Sequence, residues 1–228
     1  MKKSSIFVVI FAITVCVSFY VSFALSVNNS ITHEDAQAIE ILELSASCEN
    51  VSASYEKELE CLLAIQASVQ SIGEVRCAVA SDTIEPSDFL RRNYGCCFDR
   101  ARFIEKSARY YGFDTRHVFL IQPYEGLSVT SFLPLGQSSH ATSEILTTKG
   151  WLGVDSNEPF ILLSENGMPT TYRSAINNIA AFPLMEPKGF YTKELDVIYG
   201  LYSRHGNFHG KNFPGPEYVF SELLWNWN

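Results

Sequence analysis

The chain has 228 residues, 46% of them hydrophobic and 18% charged, enough apolar material for a packed core and too little charge for a disordered tract. Seventeen basic residues against 25 acidic ones give a formal net charge of −8, which argues against nucleic acid as a partner. No Gly/Ser-rich or Pro-rich linker divides the sequence, so residues 27–228 read as one domain behind a leader over residues 1–26.

In that leader, Met1-Lys2-Lys3 precedes an apolar run from Ile6 to Leu25, broken only by Thr14, Ser18 and Ser22 and closed by the small-x-small triplet Ala24-Leu25-Ser26. This is the pattern of an export signal. The run exceeds the ~7–15 apolar residues of a cleaved signal peptide and approaches the ~20 that span a bilayer, so signal peptide and retained membrane anchor both stay open. Lys2 and Lys3 stay cytoplasmic either way, and the domain is expected outside the cytoplasm: secreted, periplasmic or in the cell envelope. Of six cysteines, Cys16 lies in the leader, leaving Cys48, Cys61, Cys77, Cys96 and Cys97. Five is odd: four can pair in three connectivities, and one is left as a free thiol.

Along the domain, Thr32-His33-Glu34-Asp35 can cap a helix, and Ala36, Ile39, Ile41, Leu42 and Leu44 continue it at helical spacing to about Ser47. Tyr55 to Ile72, without Gly or Pro, is a second amphipathic helix that Gly73 stops. Residues 81–96 are turn-rich and basic. Cys97, Ala101, Ile104, Ala108 and Tyr111 then form a stripe that ends at Gly112, which places Cys97 at the start of a helix. From Thr115 the pattern changes to strands: Arg116–Ile121, Leu127–Leu133, and a hairpin of His140–Leu146 with Trp151–Asp155 around Thr147-Thr148-Lys149-Gly150. Phe160–Leu163 and an Asn166-Gly167 turn continue the sheet region. Helices first and strands after predict an α+β fold rather than alternating βαβ units. The tail, residues 189–228, holds ten aromatics.

A thiol nucleophile needs a lowered pKa, a base within reach, and a third group to orient that base. Cys97 meets the first need at a helix N-terminus, where the macrodipole favours thiolate and Arg91, Arg92, Arg100 and Arg102 lie close in sequence. Gly95 would let the backbone turn into that helix, and the Cys97 amide could then help bind an oxyanion. His140 and Asp155 are equidistant from the hairpin turn. They are therefore expected opposite each other on one face, with the carboxylate holding one imidazole nitrogen and the other free for sulfur.

Four blocks in order carry a resemblance: Gly95-Cys96-Cys97-Phe98-Asp99-Arg100-Ala101, Tyr111-Gly112-Phe113-Asp114-Thr115-Arg116-His117-Val118, His140-Ala141-Thr142-Ser143-Glu144, and Gly150-Trp151-Leu152-Gly153-Val154-Asp155. Together, over about a quarter of the chain, they resemble the transglutaminase-like superfamily. Its pattern reads G-x-C-x-x-x-A on a helix, a glycine and an arginine leading into a strand, then H-A-x-x-E and G-W-x-x-x-D. The resemblance implies a papain-like core, with the nucleophile helix packed on an antiparallel sheet. It also implies Cys97 as nucleophile, His140 as general base and acid, and Asp155 as its orienting partner. Family members cleave or exchange amide bonds through a thioester, so the expected partner is a protein, a peptide or another amide-bearing substrate. Both spacings fit Cys97 and not Cys96. The family's upstream oxyanion donor has no clear match, Asn93 and Tyr94 being merely nearby.

That chemistry needs no cofactor, and the sequence holds no D-x-[DN]-x-[DN]-G calcium loop. A zinc hydrolase on the same three residues ranks last. A nucleophile cannot be locked in a structural bridge, so Cys97 is expected to be the free thiol; Cys48, Cys61, Cys77 and Cys96 then have the chance to form two disulfides, the alternative being that Cys96, adjacent to Cys97, is a redox partner of the active thiol. His117 is expected to be a structural sheet histidine. His205 and His209, four apart but among glycines, make a poor metal pair. The arginines are either a solvated face or a means of steering an acidic substrate. The aromatic tail either packs back over the core or contacts glycan, which is the rival reading of the whole protein: a weakly catalytic envelope module.

Overall fold

The computed structural model describes residues 9–18, 26–77, 84–122, 138–176, 189–192, 195–202 and 217–227. Helix α1, His33–Glu40, opens with the predicted capping box: the Thr32 hydroxyl accepts the Asp35 amide at 3.1 Å and the Asp35 carboxylate takes the Thr32 amide at 2.8 Å. It stops short of the predicted end near Ser47. Residues 41–49 run as turns, with Glu43 in the left-handed region at φ 52° and Leu44 turned into the core. Helix α2, Tyr55–Gln70, is capped by Ser54 and buries Cys61, Leu62, Ile65 and Val69. Gly73, at φ 53°, ends the segment as expected.

The stretch predicted as turns contains a further helix, α3, Pro86–Arg92. Proline in the first turn and Arg91 and Arg92 in the last are the signals that mark it. A two-residue parallel pair, β1 (Glu74–Val75) with β2 (Tyr94–Gly95), leads into α4, Cys97–Tyr110. Four antiparallel strands make the main sheet in the order β5-β4-β3-β6: β3 Asp114–Ile121, β4 Ser139–Thr147, β5 Gly150–Val154 and β6 Asp196–Tyr199. The fold is α+β, with α4 packed against β4 and β3.

Residues 160–163 contribute bridges rather than a strand, Val154 to Ile161 and Leu163 to Pro169. The predicted strand 127–133 lies outside the described residues. Short helix α5, Tyr172–Ile176, packs Tyr172 and Ala175 against Val118, Leu120, Leu162 and Tyr199. The tail adds β7 (Leu201–Tyr202), β8 (Glu217–Tyr218) and α6 (Phe220–Leu223), which runs on into a 3-10 turn over Leu224–Trp227. Two disulfides join Cys48 to Cys61 and Cys77 to Cys96, with Cα atoms 4.6 and 4.9 Å apart, and Cys97 is free. These are the four cysteines available to pair once Cys97 is free, and bridges of this kind belong to an oxidising compartment.

Candidate active site

Cys96, tied to Cys77, is the N-cap of α4, and its amide donates to the Asp99 carboxylate at 2.9 Å. Arg92 holds the other oxygen of Asp99 at 2.5 Å. This web fixes the first turn of the helix, so Cys97 enters with its position determined from both sides. Gly95 is needed for space rather than for φ: a Cβ there would meet Phe89 and Asp99 at 2.7 and 2.8 Å.

The hairpin register differs from the predicted one. Ser143 pairs with Val154, where the equidistance argument puts Leu152, so the ladder is displaced by two residues. His140 and Asp155 are therefore not direct partners. β5 ends at Val154, and Asp155 begins a turn in which its Oδ1 accepts the amides of Asn157 (2.8 Å) and Glu158 (2.7 Å). A displacement of two keeps both side chains on one face, and a diagonal pair is still within side-chain reach. The His140 Nε2 to Asp155 Oδ2 distance is 3.0 Å. Gln66 and Gln70 of α2 donate to carbonyls of the same turn, including that of Asp155, and hold it against the helix.

Two tyrosines complete the carboxylate's surroundings. The Tyr191 hydroxyl donates to Asp155 Oδ2, and the Tyr172 hydroxyl reaches the same oxygen at 3.4 Å while sharing a hydrogen bond with Thr142 at 2.9 Å. Burial raises both phenols well above 10, so they stay protonated donors. Sequence reasoning missed both, because they stand 17 and 36 residues from Asp155 and belong to no motif. The Phe190 and Tyr191 rings also lie 5.6 and 6.0 Å from the His140 imidazole.

Burial pushes the half-buried Cys97 thiol up, but the hydrogen bond and positive charge of His140, with help from the Ala141 amide, outweigh it and leave the thiol below its ordinary value. For His140, burial works against the charged form. The Asp155 charge and its hydrogen bond, then the contact with Cys97, overcome this and raise the imidazole to about 10. Burial alone would raise Asp155, yet its carboxyl is lowered by the charge and hydrogen bond of His140 and by the Tyr191 hydroxyl. The three groups thus stand in a row in which the thiol and the carboxyl are lowered and the imidazole is raised, with Nε2 committed to Asp155 and Nδ1 left for sulfur.

The other motif residues are structural. Glu144 is fully buried, accepts Arg116 Nε and Nη2 at 2.9 and 2.5 Å, and takes the Tyr172 amide at 2.7 Å. The Arg116 guanidinium lies among the rings of Trp151, Tyr199 and Trp225, at 4.2, 4.1 and 4.8 Å. Gly153 allows close packing, since a Cβ would meet Leu162 at 2.5 Å and Tyr172 at 2.9 Å. Arg92, Arg100 and Arg102 are neither a solvated face nor free to steer a substrate. Arg92 pairs with Asp99, Arg100 donates to Asn157 and to the Ile72 carbonyl, and Arg102 pairs with Glu85 and Asn29. Arg91 alone of the four is solvated, 71% exposed and paired with Asp88.

Asn93 ends α3 in the left-handed region, and Tyr94 stacks under the Arg76 guanidinium. His117 is a buried sheet residue whose Nδ1 lies 2.6 Å from Glu105. His205 and His209 lie outside the described residues. Tyr191, Tyr199 and Tyr202 of the tail pack into the core, whereas Phe220 and Trp227 stay exposed.

No protein-family model matches the chain, and no curated protein matches it. Among solved structures, a candidate cysteine protease from Cytophaga hutchinsonii is similar, with 17% identity and a TM-score of 0.38 over 82% of this chain. The chain spans 57% of that protein's length, and at this depth the likeness decides nothing about the site.

Proposed function

We propose that the protein is an exported, cysteine-dependent amide hydrolase or acyl transferase of the transglutaminase-like kind, with Cys97 as nucleophile, His140 as acid and base, and Asp155 as orienting carboxylate. The observation that carries this reading is the bridging imidazole: His140 joins a buried, fully ligated carboxylate to a thiol whose pKa falls in spite of burial. A structural cysteine in such surroundings would be raised instead.

In the proposed cycle the Cys97 thiolate attacks the amide carbon and the carbonyl π electrons move to oxygen, where the Cys97 amide at the helix N-terminus can meet the charge. His140 gives its Nδ1 proton to the leaving nitrogen as the C–N bond breaks, leaving a thioester and a free amine. Water or a second amine then attacks the thioester, His140 accepts its proton, and the thiolate is expelled. Asp155 keeps its charge throughout and holds the ring. A peptide and amine library tests the reading: turnover by the wild-type chain and none by Cys97→Ala supports it, and equal turnover by the two removes it. Export is tested by sequencing the N-terminus of the envelope form. A start near Val27 means a cleaved signal, an intact Met1 in the membrane fraction means an anchor, and cytoplasmic recovery refutes export.

A further inference from the structure

The last described turns of the chain are amphipathic in the inverse sense. Over α6 and the 3-10 turn that follows, the polar side chains point inward. The Glu222 carboxylate accepts the His117 amide at 2.8 Å, the Asn29 side chain at 2.8 Å and Arg109 at 3.2 Å, while Asn226 brackets the Tyr199 amide and carbonyl at 2.9 and 3.1 Å. The apolar side chains point outward: Phe220, Leu224 and Trp227, spaced i, i+4, i+7, are 67%, 48% and 77% exposed, and Trp225 is 40% exposed. A stripe of this kind in water has no favourable partner, and the internal polar contacts fix its direction.

A second observation says what covers it. The junction of leader and domain pairs with this same edge: Ser26, the last residue of the leader, bridges Tyr218 in parallel, and the amide of Val27, the first of the domain, donates to the Tyr218 carbonyl at 2.9 Å. Leu25, the last apolar residue of the leader, directly precedes Ser26. Paired strands lie about 5 Å apart, so the leader leaves the domain beside Tyr218. At about 3.3 Å per extended, 1.5 Å per α-helical and 2 Å per 3-10 residue, and adding the strand spacing, Trp227 lies within roughly 25 Å of that exit. The described part of the leader, residues 9–18, is a helix exposing Val9, Ile10, Phe11, Ile13, Val15 and Val17, which also calls for an apolar phase.

We propose that the Phe220–Trp227 edge seats on the bilayer that holds the leader, with Trp227 and Phe220 at headgroup depth. Trp suits that layer because its apolar ring carries a polar N–H edge, and Phe can bury its ring beside it. With a net charge of −8, attraction to anionic lipid is not the driving force, and a zwitterionic surface suffices. The proposal is independent of the chemistry at Cys97, but it needs the leader retained. It fixes the domain's orientation, with the C-terminal edge down.

The test uses the full chain in phosphatidylcholine vesicles whose acyl chains carry bromine near the headgroup. Trp151 and Trp225 pack on each other with centroids 5.9 Å apart, which leaves Trp227 as the outlying emitter. Bromolipid should quench the wild-type emission, Trp227→Phe should lose roughly half of that quenching, and Phe220→Ser with Leu224→Ser should lower it with an unchanged circular dichroism spectrum. Emission blind to bromolipid but quenched by acrylamide would overturn the proposal, as would failure of the chain to float with vesicles. A dimer in detergent that Trp227→Phe dissolves would also overturn it and assign the stripe to a second copy.

Discussion

Among the described residues the core holds two buried histidine–carboxylate pairs, their histidines on adjacent strands, and they differ in what surrounds them. His140 and Asp155 lie at the open end of β4, where β5 has already stopped, with a free thiol on the imidazole's far side. His117 and Glu105 lie inside, where α4 covers β3: Nδ1 meets Glu105 at 2.6 Å, the ring stacks on Tyr202 with centroids 4.1 Å apart, and Nε2 has no partner among the described residues. Glu105 also accepts Ser143, and Tyr202 ties the pair to Glu222. Two similar histidine–carboxylate contacts thus have different surroundings. The first has a free thiol beside it at a strand end, while the second is enclosed by its own fold and anchors the C-terminal turns.

Removing the nucleophile or the base should separate the pairs most sharply. Cys97→Ala and His140→Ala are each expected to lower amide turnover by three orders of magnitude or more, roughly the scale of losing one member of a concerted unit, with Cys96→Ala keeping much of it. Kinetics on a substrate from the library screen checks this, and a Cys97→Ala variant at the wild-type rate ends the assignment.

Next in size is Asp155→Asn. His140 keeps a hydrogen bond but loses the charge that orients and stabilises its imidazolium, so the rate should fall by about 10²–10⁴-fold in a folded protein. Part of the loss has a second cause: an amide nitrogen in place of either oxygen would face donors, Tyr191 and the His140 Nε2 on one side or the Asn157 and Glu158 amides on the other. An unchanged rate would remove Asp155 from the site.

The ion pair itself has a pH signature. Because the Cys97 thiol is lowered and His140 is raised to about 10, iodoacetamide should label Cys97 below the ~8.5 of an ordinary thiol. The imidazolium should persist until the pH rises through about 10. The same values set stability. The His140 contribution is full below its unfolded value near 6.5 and lost as the pH rises to about 10, whereas that of Asp155 is present above 3.8 and lost as the pH falls through its lowered value. Mass mapping of the labelled, non-reduced chain checks the first part. Label spread evenly over all five domain cysteines would defeat both the activated thiol and the bridges.

Tyr191→Phe should have a smaller effect with a distinctive direction. Losing a donor to a buried carboxylate should lower stability by about 1–3 kcal/mol and make Asp155 a stronger partner for the imidazolium, so the titration of the His140 imidazole, followed by NMR, moves up in pH. A merely structural tyrosine would lower the melting temperature and leave that titration in place. The smallest kinetic effect belongs to the enclosed pair: His117→Gln should change turnover less than about two-fold while lowering the unfolding free energy by about 1–3 kcal/mol, measured by denaturant titration. A large rate loss there, in a protein of normal stability, would erase the contrast between the pairs.

Much of this was legible in the residues. The Thr32 capping box, the stripe from Cys97 to Tyr111 and the two-residue turn before Gly150 are local signals, because caps, helical faces and tight turns depend on neighbours a few positions apart. Parity survives a two-residue change of register, which is why the hairpin argument brought His140 and Asp155 to one face although Asp155 lies beyond the strand. Helix α3 was missed although its proline start and basic end are local, since a two-turn helix shows too little periodicity among turn residues. The fate of the arginines, the two tyrosines on Asp155 and the outward turn of Phe220 and Trp227 could not be read this way. Each depends on which distant segments meet: Arg102 finds Asn29, Tyr191 finds Asp155, and Glu222 finds His117. Sequence by itself determined the short-range order and the kinds of chemistry available. Only the packing of segments decided which charges are buried in pairs and which thiol lies beside a histidine, because burial and long-range contact are properties of the whole fold.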